Sequence, residues 1–155
     1  MIIKQDNIKN LLPNSGRLIS LDVGTKRIGV AICDDKRIIA TPKLIINRQS
    51  NLKDFTQIMQ LIIENTIVAV IIGLPIDING NSTAVSKFVN NFAINLDCFL
   101  QPKLNTEIPI ILFDERFSSF EARRIVKSKM YSKKTKFYDD ISANIILEHF
   151  LKDYQ

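Results

Sequence analysis

An aspartate at the end of an apolar strand is the residue of this sequence best suited to chemistry. Asp22 closes an apolar run that starts at Leu18. Gly24 and Thr25 then turn the chain, and a second apolar run begins at Ile28, which predicts a β-hairpin with a carboxylate at its mouth. A strand end holds its side chain rigidly, as a metal or phosphate site requires. The structural alternative is an aspartate that stabilises the turn.

Two more acidic pairs lie far along the chain, Asp114-Glu115 after an apolar run and Asp139-Asp140 before a helical pattern. Neighbouring strand residues face opposite sides of a sheet, so only one residue of the first pair can face Asp22. Both preceding residues are apolar, and alternation therefore does not decide between the two. The longer side chain of Glu115 makes it the more natural candidate, which leaves Asp114 as a support or a cap.

The helical pattern separates Asp139 from its neighbour. On a helix, Asp139 shares its face with mostly small and apolar residues, namely Ser142, Ala143, Ile146 and Phe150. That face should pack on the sheet, so an acid on it needs a cation, a metal or a hydrogen-bond donor. The structural alternative for Asp139 is a helix N-cap.

Converging carboxylates at Asp22, Glu115 and Asp139 would suit hard divalent cations such as Mg²⁺, which prefer oxygen ligands. Two such ions, about 3.5–4 Å apart, can activate a water and stabilise the leaving oxygen of a phosphodiester. In a small basic protein this pattern suggests metal-dependent work on nucleic acid.

Cations accompany these acids along the chain. Lys26 and Arg27 follow the first turn, and Arg116 follows Glu115. Such cations can hold a scissile phosphate or offset repulsion among the acids. The alternative for each is an ordinary surface salt bridge.

A basic segment with interleaved aromatic residues occupies 127–138 and includes Lys133, Lys134 and Lys136. The formal net charge of the chain is +5. Lysines can neutralise phosphates and rings can stack on bases, so this segment is a candidate nucleic-acid clamp. A solvated loop with a few packed rings is the alternative.

Length and composition restrict the class of protein. The chain has 155 residues, 46% apolar and 24% charged, which is typical of one folded domain with a sizeable core. The longest apolar run, Ile67–Leu74, is too short to span a membrane, and the N-terminus lacks a signal-peptide pattern. We therefore expect a cytoplasmic protein without a membrane partner.

The cysteines and the histidine offer little chemistry. Cys33 and Cys98 fit no ligand spacing and are expected to be inert packing residues. His149 is the one histidine, which makes a zinc site or a serine–histidine–aspartate triad unattractive.

The predicted elements follow the order βββαβαβαα. Apolar and β-branched runs predict strands over 18–22, 28–33, 38–46, 67–72 and 110–113, and helical spacing predicts helices over about 51–65, 82–100, 119–127 and 139–151. We expect residues 1–16 to form an irregular arm and 17–155 a single domain. Short connections make the first three strands antiparallel, and Pro42 places the third at an edge.

This order predicts an α/β fold with a mixed five-stranded sheet, three antiparallel strands followed by parallel ones, flanked by helices. Sites in such sheets gather at the carboxyl ends of the parallel strands. The strands that end at Asp22, Gly73 and Asp114 should therefore share one rim.

Four ordered segments resemble motifs of the YqgF/RuvX family, whose members are described as pre-16S rRNA nucleases or as Holliday junction resolvases. The matching segments are 21–31, Gly73-Leu74-Pro75 with Asn79-Gly80, 114–122 and 139–148. The resemblance implies an RNase H-like fold and a nuclease that uses Mg²⁺ or Mn²⁺. It places Asp22, Glu115 and Asp139 on the acidic metal-binding positions, and it implies cleavage that leaves a 5′-phosphate and a 3′-hydroxyl.

Departures from the family pattern are small. Ser119 stands where the family usually has threonine, which keeps a hydroxyl that can contact substrate. Ile141 stands where a small residue is common, and the arm before Arg17 is longer than expected.

The two descriptions of the family imply different substrates. Processing of the 5′ end of pre-16S rRNA is favoured here, because junction resolution needs two symmetric active sites on branched DNA and no clear dimerisation surface is legible. The rival classes are an actin-like ATPase, which needs two such domains, and a non-catalytic nucleic-acid-binding module. The sequence leaves open endonuclease or exonuclease action, monomer or homodimer, and the metal used.

Overall fold

The computed structural model describes residues 2–3, 8, 12–77, 81–114 and 138–154. Its elements in chain order are β1 (Ile2–Ile3), β2 (Arg17–Val23), β3 (Arg27–Cys33), β4 (Ala40–Asn47), α1 (Asn51–Glu64), β5 (Ile67–Leu74), α2 (Ala84–Leu100), β6 (Ile110–Asp114) and α3 (Tyr138–Asp153). The strands form one sheet in the order β1-β6-β5-β2-β3-β4. The pairs β2/β3 and β3/β4 are antiparallel, whereas β2/β5, β5/β6 and β1/β6 are parallel.

The predicted five-stranded mixed sheet and its flanking helices are confirmed. The predicted helix over 119–127 lies outside the described residues. One element was not predicted. Ile2 and Ile3 of the expected arm pair with Ile110 and Ile111, and they extend the sheet by a short strand. Two residues carry too little periodicity to signal a strand, and their pairing depends on the exposed edge that β6 offers.

Local sequence accounts for the element boundaries near the central strands. β5 is an unbroken apolar and β-branched run, as expected for a parallel strand buried on both faces. The N-terminus of α1 is capped by Ser50, whose side chain accepts from the Lys53 amide at 3.4 Å. α2 begins with a reciprocal capping box, in which Thr83 Oγ1 accepts from the Ser86 amide and Ser86 Oγ accepts from the Thr83 amide.

The sheet separates two apolar clusters. One cluster joins Ile19, Leu21 and Leu112 of the sheet to α1 and α2, and the other joins Leu18 and Phe113 to α3. Alternating residues of a strand therefore belong to different clusters, as the pleat requires. We call these sides the α1/α2 face and the α3 face.

The remaining structural expectations have mixed outcomes. β4 lies at the edge of the sheet and includes Pro42, as predicted. Cys33 is buried in the α3-face cluster, but Cys98 is exposed on α2 and is not a packing residue. Helical spacing accounts for this exposure, because Cys98 lies nine residues, or about two and a half turns, after the buried Val89 and therefore on the opposite side of α2. Among the described helices, none has the length and apolar character needed to cross a membrane.

Candidate functional site

Asp22 lies at the rim where three parallel strands end. β2 ends at Val23, β5 at Leu74 and β6 at Asp114, and these strands are neighbours in the sheet. Leu21 pairs with Ile72 in the parallel register, so Asp22 is the next residue toward the rim. The expected convergence of the strand ends is thus present in the sheet.

The sheet pleat places Asp22 on the α3 face. Its neighbours Leu21 and Val23 belong to the α1/α2-face cluster, whereas Leu18 belongs to the α3-face cluster. Asp22 is four residues after Leu18 and therefore lies on the same side. The residue is half-buried, as suits a carboxylate that must be held firmly and still reach a ligand.

The same test places Asp114 on the opposite side of the sheet. Leu112 packs in the α1/α2-face cluster and Phe113 in the α3-face cluster, so Asp114 lies with Leu112. It is only 6% exposed. Asp114 consequently does not share a face with Asp22, and Glu115 is the member of this pair that remains a candidate.

Ser20 attaches α3 to the side of the sheet that carries Asp22. The Ser20 hydroxyl donates to the Ala143 carbonyl oxygen at 2.7 Å, and Ser20 is fully buried. Asp139 lies one helical turn before Ala143, in the first turn of α3. The side chain of Asp139 lies outside the described part of the chain.

The turn after Asp22 is closely packed. The Gly24 amide donates to the Arg27 carbonyl oxygen at 2.9 Å. A Cβ atom at position 24 would lie 2.9 Å from that same oxygen, closer than real Cβ contacts allow. Glycine is therefore required for the close approach of the two backbones. Lys26 and Arg27 are exposed on this turn.

The other predicted site residues lie outside the described residues. They are Glu115, Arg116, Ser119, Lys133, Lys134 and Lys136. Within the part of the chain that is described, no group of three or more histidine, cysteine, aspartate or glutamate side chains could hold a metal ion. The structure therefore shows where Asp22 and the backbone of α3 lie, whereas Glu115 and the side chain of Asp139 are outside the described part of the chain.

Three of the described groups have perturbed pKa values, and all three lie at the opposite rim, around the β3–β4 turn. A hydrogen bond from the Ile39 amide, supported by bonds from Ile38 and Lys36, holds the pKa of Asp34 below its usual range. Burial raises the pKa of the Cys33 thiol and lowers that of the Arg37 guanidinium. The Arg37 side chain donates to the carbonyl oxygens of Gly16 and Pro13. These two bonds join the β3–β4 turn to the segment before β2.

Sequence reasoning missed Arg48, which links the turn after Asp22 to α1 and α2. Its guanidinium donates to the Gly24 carbonyl oxygen at 3.2 Å and to Asp54 Oδ2 at 3.0 Å. The available signal was an arginine directly after a strand, followed by an acid in the first turn of the next helix. Such a pattern is common, and only the tertiary fold shows that the two side chains meet.

Comparison with known proteins gives a consistent assignment. The sequence model of the RuvX family, described as "Holliday junction resolvase", matches residues 16–153. A relative from Crocosphaera subtropica is 41% identical over 135 residues, which cover 86% of this chain and 90% of the relative. Another from Thermoanaerobacter pseudethanolicus is 38% identical over 138 residues, covering 87% and 95% respectively. Both are named "Putative pre-16S rRNA nuclease".

Solved structures support the fold. RuvC of T. thermophilus, solved in complex with a Holliday junction substrate, superposes with a TM-score of 0.56 at 8% identity and covers 89% of this chain and 94% of its own. The yeast mitochondrial resolvase Ydc2 gives a TM-score of 0.51 at 8% identity, covering 97% and 86%. At such identities these neighbours establish the shared fold. The sequence matches go further, and this chain belongs to the RuvX family of nucleases.

Proposed function

We propose that this nuclease depends on a divalent metal ion and hydrolyses a phosphodiester bond in the 5′ precursor segment of 16S rRNA. The observation that carries the proposal is the half-buried Asp22 at the parallel-strand rim, on the face that α3 covers. The names of the relatives supply the substrate class.

Asp22, Glu115 and Asp139 are the residues that would hold one or two Mg²⁺ or Mn²⁺ ions. The donor chemistry fits, because each side chain supplies carboxylate oxygens, which these ions prefer. The assignment also agrees with the pleat, which removes Asp114 from the face of Asp22. Held by these carboxylates, such ions would activate a water for in-line attack and stabilise the leaving oxygen.

The cations of the chain would bind and orient the substrate. Lys26 and Arg27 are exposed on the turn that follows Asp22, where they can contact backbone phosphates on either side of the scissile bond. Arg116 and Ser119 follow Glu115 in the sequence, and we assign them the same task. Cleavage would leave a 5′-phosphate and a 3′-hydroxyl.

Junction resolution on branched DNA is the second candidate function. The description of the family favours it. It requires two copies of the site in a symmetric homodimer, because two opposing strands of the four in a four-way junction are cut. Ribosomal RNA processing also permits a monomer. Either activity would take place in the cytoplasm.

The test compares both substrates with one preparation of protein. Purified chain is incubated with a 5′-extended 16S rRNA precursor and with a four-way DNA junction, each with Mg²⁺, with Mn²⁺ and with a chelator. We expect metal-dependent cleavage of the RNA. Cleavage of the junction alone would replace the proposed substrate, and binding without cleavage of either would favour a non-catalytic module.

The basic segment makes a separate prediction. Neutralising Lys133, Lys134 and Lys136 together should weaken RNA binding and reduce the salt dependence of the affinity by about 2 in log–log slope, because each phosphate contact on a single strand contributes about 0.7. Fluorescence anisotropy across a salt series measures this slope. Neutralising the exposed Lys36, Lys43 and Lys152 instead is the control, and an unchanged slope in the test variant would remove the segment from the binding surface.

A further inference from the structure

The guanidinium of Arg48 donates to three acceptors in two parts of the molecule. Its Nη1 donates to the Gly24 carbonyl oxygen at 3.2 Å, Nη2 to Asn51 Oδ1 at 3.0 Å and Nε to Asp54 Oδ2 at 3.0 Å. Gly24 lies in the turn after Asp22, whereas Asn51 and Asp54 lie in the first turn of α1. One planar fork therefore connects the turn to the start of a helix.

The anchor in α1 is firmly held. The side chain of Asp54 is 1% exposed and that of Arg48 is 13% exposed. The other carboxylate oxygen of Asp54 accepts from the Gln49 amide at 3.1 Å. A buried carboxylate with bonds to both oxygens cannot move without losing a partner, so it fixes the position of the guanidinium.

Aromatic rings of α2 complete the environment of Arg48. The guanidinium carbon lies 5.3 Å from the ring centroid of Phe88 and 5.2 Å from that of Phe92. These contacts restrict the guanidinium further and exclude water from one of its sides. Lysine could not reproduce this set of contacts, because its ammonium is a point charge without a planar fork.

The turn that Arg48 contacts lies beyond the regular pairing of the sheet. The last residue pair of β2 and β3 is Val23 with Ile28, so the turn depends on the hydrogen bond from the Gly24 amide to the Arg27 carbonyl oxygen and on the contacts of Arg48. The Arg48 amide also donates to the Lys26 carbonyl oxygen at 3.0 Å. Arg48 thus contacts the turn at Gly24 through its side chain and at Lys26 through its backbone amide, and Lys26 directly precedes β3.

We propose that Arg48 is a positioning residue that holds the turn at 24–26 and thereby places Lys26 for contact with a substrate phosphate. This inference rests on the proposed nuclease function for the role of Lys26. Asp22 itself is held by sheet pairing with Gly29, so Arg48 should act on substrate binding rather than on metal binding or the chemical step.

The first measurement needs no substrate. In Arg48→Lys, which keeps the charge, amide hydrogen exchange at 24–27 should rise by about tenfold because a charged hydrogen bond to the turn is lost. Exchange in the centres of β2 and β5 should stay unchanged. Arg17→Lys is the matched control, since Arg17 bonds Asp35 in two places at the other end of β2. Unchanged exchange at the turn would overturn the proposal.

The second measurement is a double-mutant cycle for binding of a short fluorescent single-stranded RNA. Asp22→Asn is present throughout to prevent cleavage. Arg48→Lys and Lys26→Met should each reduce the log–log salt slope by about 0.7, the contribution of one phosphate contact. The double variant should lose no more than either single variant, because both changes remove the same contact.

The outcomes are separable. Additive losses in the cycle would show that Arg48 does not act through Lys26 and would overturn the proposal even if exchange at the turn had risen. A change in metal-binding affinity in the single variant Arg48→Lys would also contradict the proposal. If the parent binds no RNA, the proposed function fails, and the exchange rates alone then decide whether Arg48 holds the turn.

Discussion

Replacing Asp22 by asparagine should strongly reduce metal-dependent cleavage while the chain stays folded. The change keeps the shape of the side chain but removes the negative charge that a divalent cation requires. A metal ion supplies several kcal/mol of charge stabilisation, and each ~1.4 kcal/mol is tenfold in rate, so cleavage should fall by about 10³-fold. Single-turnover cleavage with Mg²⁺ and with Mn²⁺ measures this loss.

The control for Asp22→Asn is the same change at Asp35. Asp35 is an exposed acid that pairs with Arg17 at the opposite rim, so Asp35→Asn should cleave at the parental rate. A calorimetric titration with Mn²⁺ should also show weakened binding in Asp22→Asn alone. Parental cleavage by stringently purified Asp22→Asn would refute the metal-site assignment.

The choice between Asp114 and Glu115 illustrates what the sequence could decide. Alternation predicts that the two acids face opposite sides of the sheet. Leu112 and Phe113 are both apolar, however, so the sequence does not indicate which of the two acids shares the face of Asp22. The structure assigns Leu112 to the α1/α2 face and Phe113 to the α3 face. Only the packing of the helices distinguishes the sides of a sheet that is buried on both faces.

Periodic and continuous apolar patterns predicted most of the fold. β5 and α1 were predicted to within two residues at each end, because a long apolar run and an amphipathic repeat each determine an element. Arg48 could not be predicted, since its partners Gly24 and Asp54 come together only after α1 has folded back beside the turn. Its contacts depend on tertiary geometry, which a single sequence pattern does not contain.

The buried ion pair of Arg48 and Asp54 should dominate the stability of this part of the molecule. Asp54→Ala should lower the free energy of unfolding by about 3 kcal/mol, because it leaves a largely buried guanidinium without its carboxylate. It also removes the acceptor of the Gln49 amide. Urea denaturation monitored by circular dichroism measures the difference.

The exposed pair of Arg17 and Asp35 provides the comparison. Its side chains are 41% and 70% exposed, against 13% and 1% for Arg48 and Asp54. Water screens such a pair, so Asp35→Ala should cost less than about 1 kcal/mol. Equal losses in the two variants would mean that burial of the Arg48 pair contributes nothing, and the rigid anchor on which the placement of the turn depends would then be absent. A large loss for Asp54→Ala alone would show that the buried pair of Arg48 and Asp54, from which the guanidinium reaches the turn after Asp22, contributes to the stability of the fold.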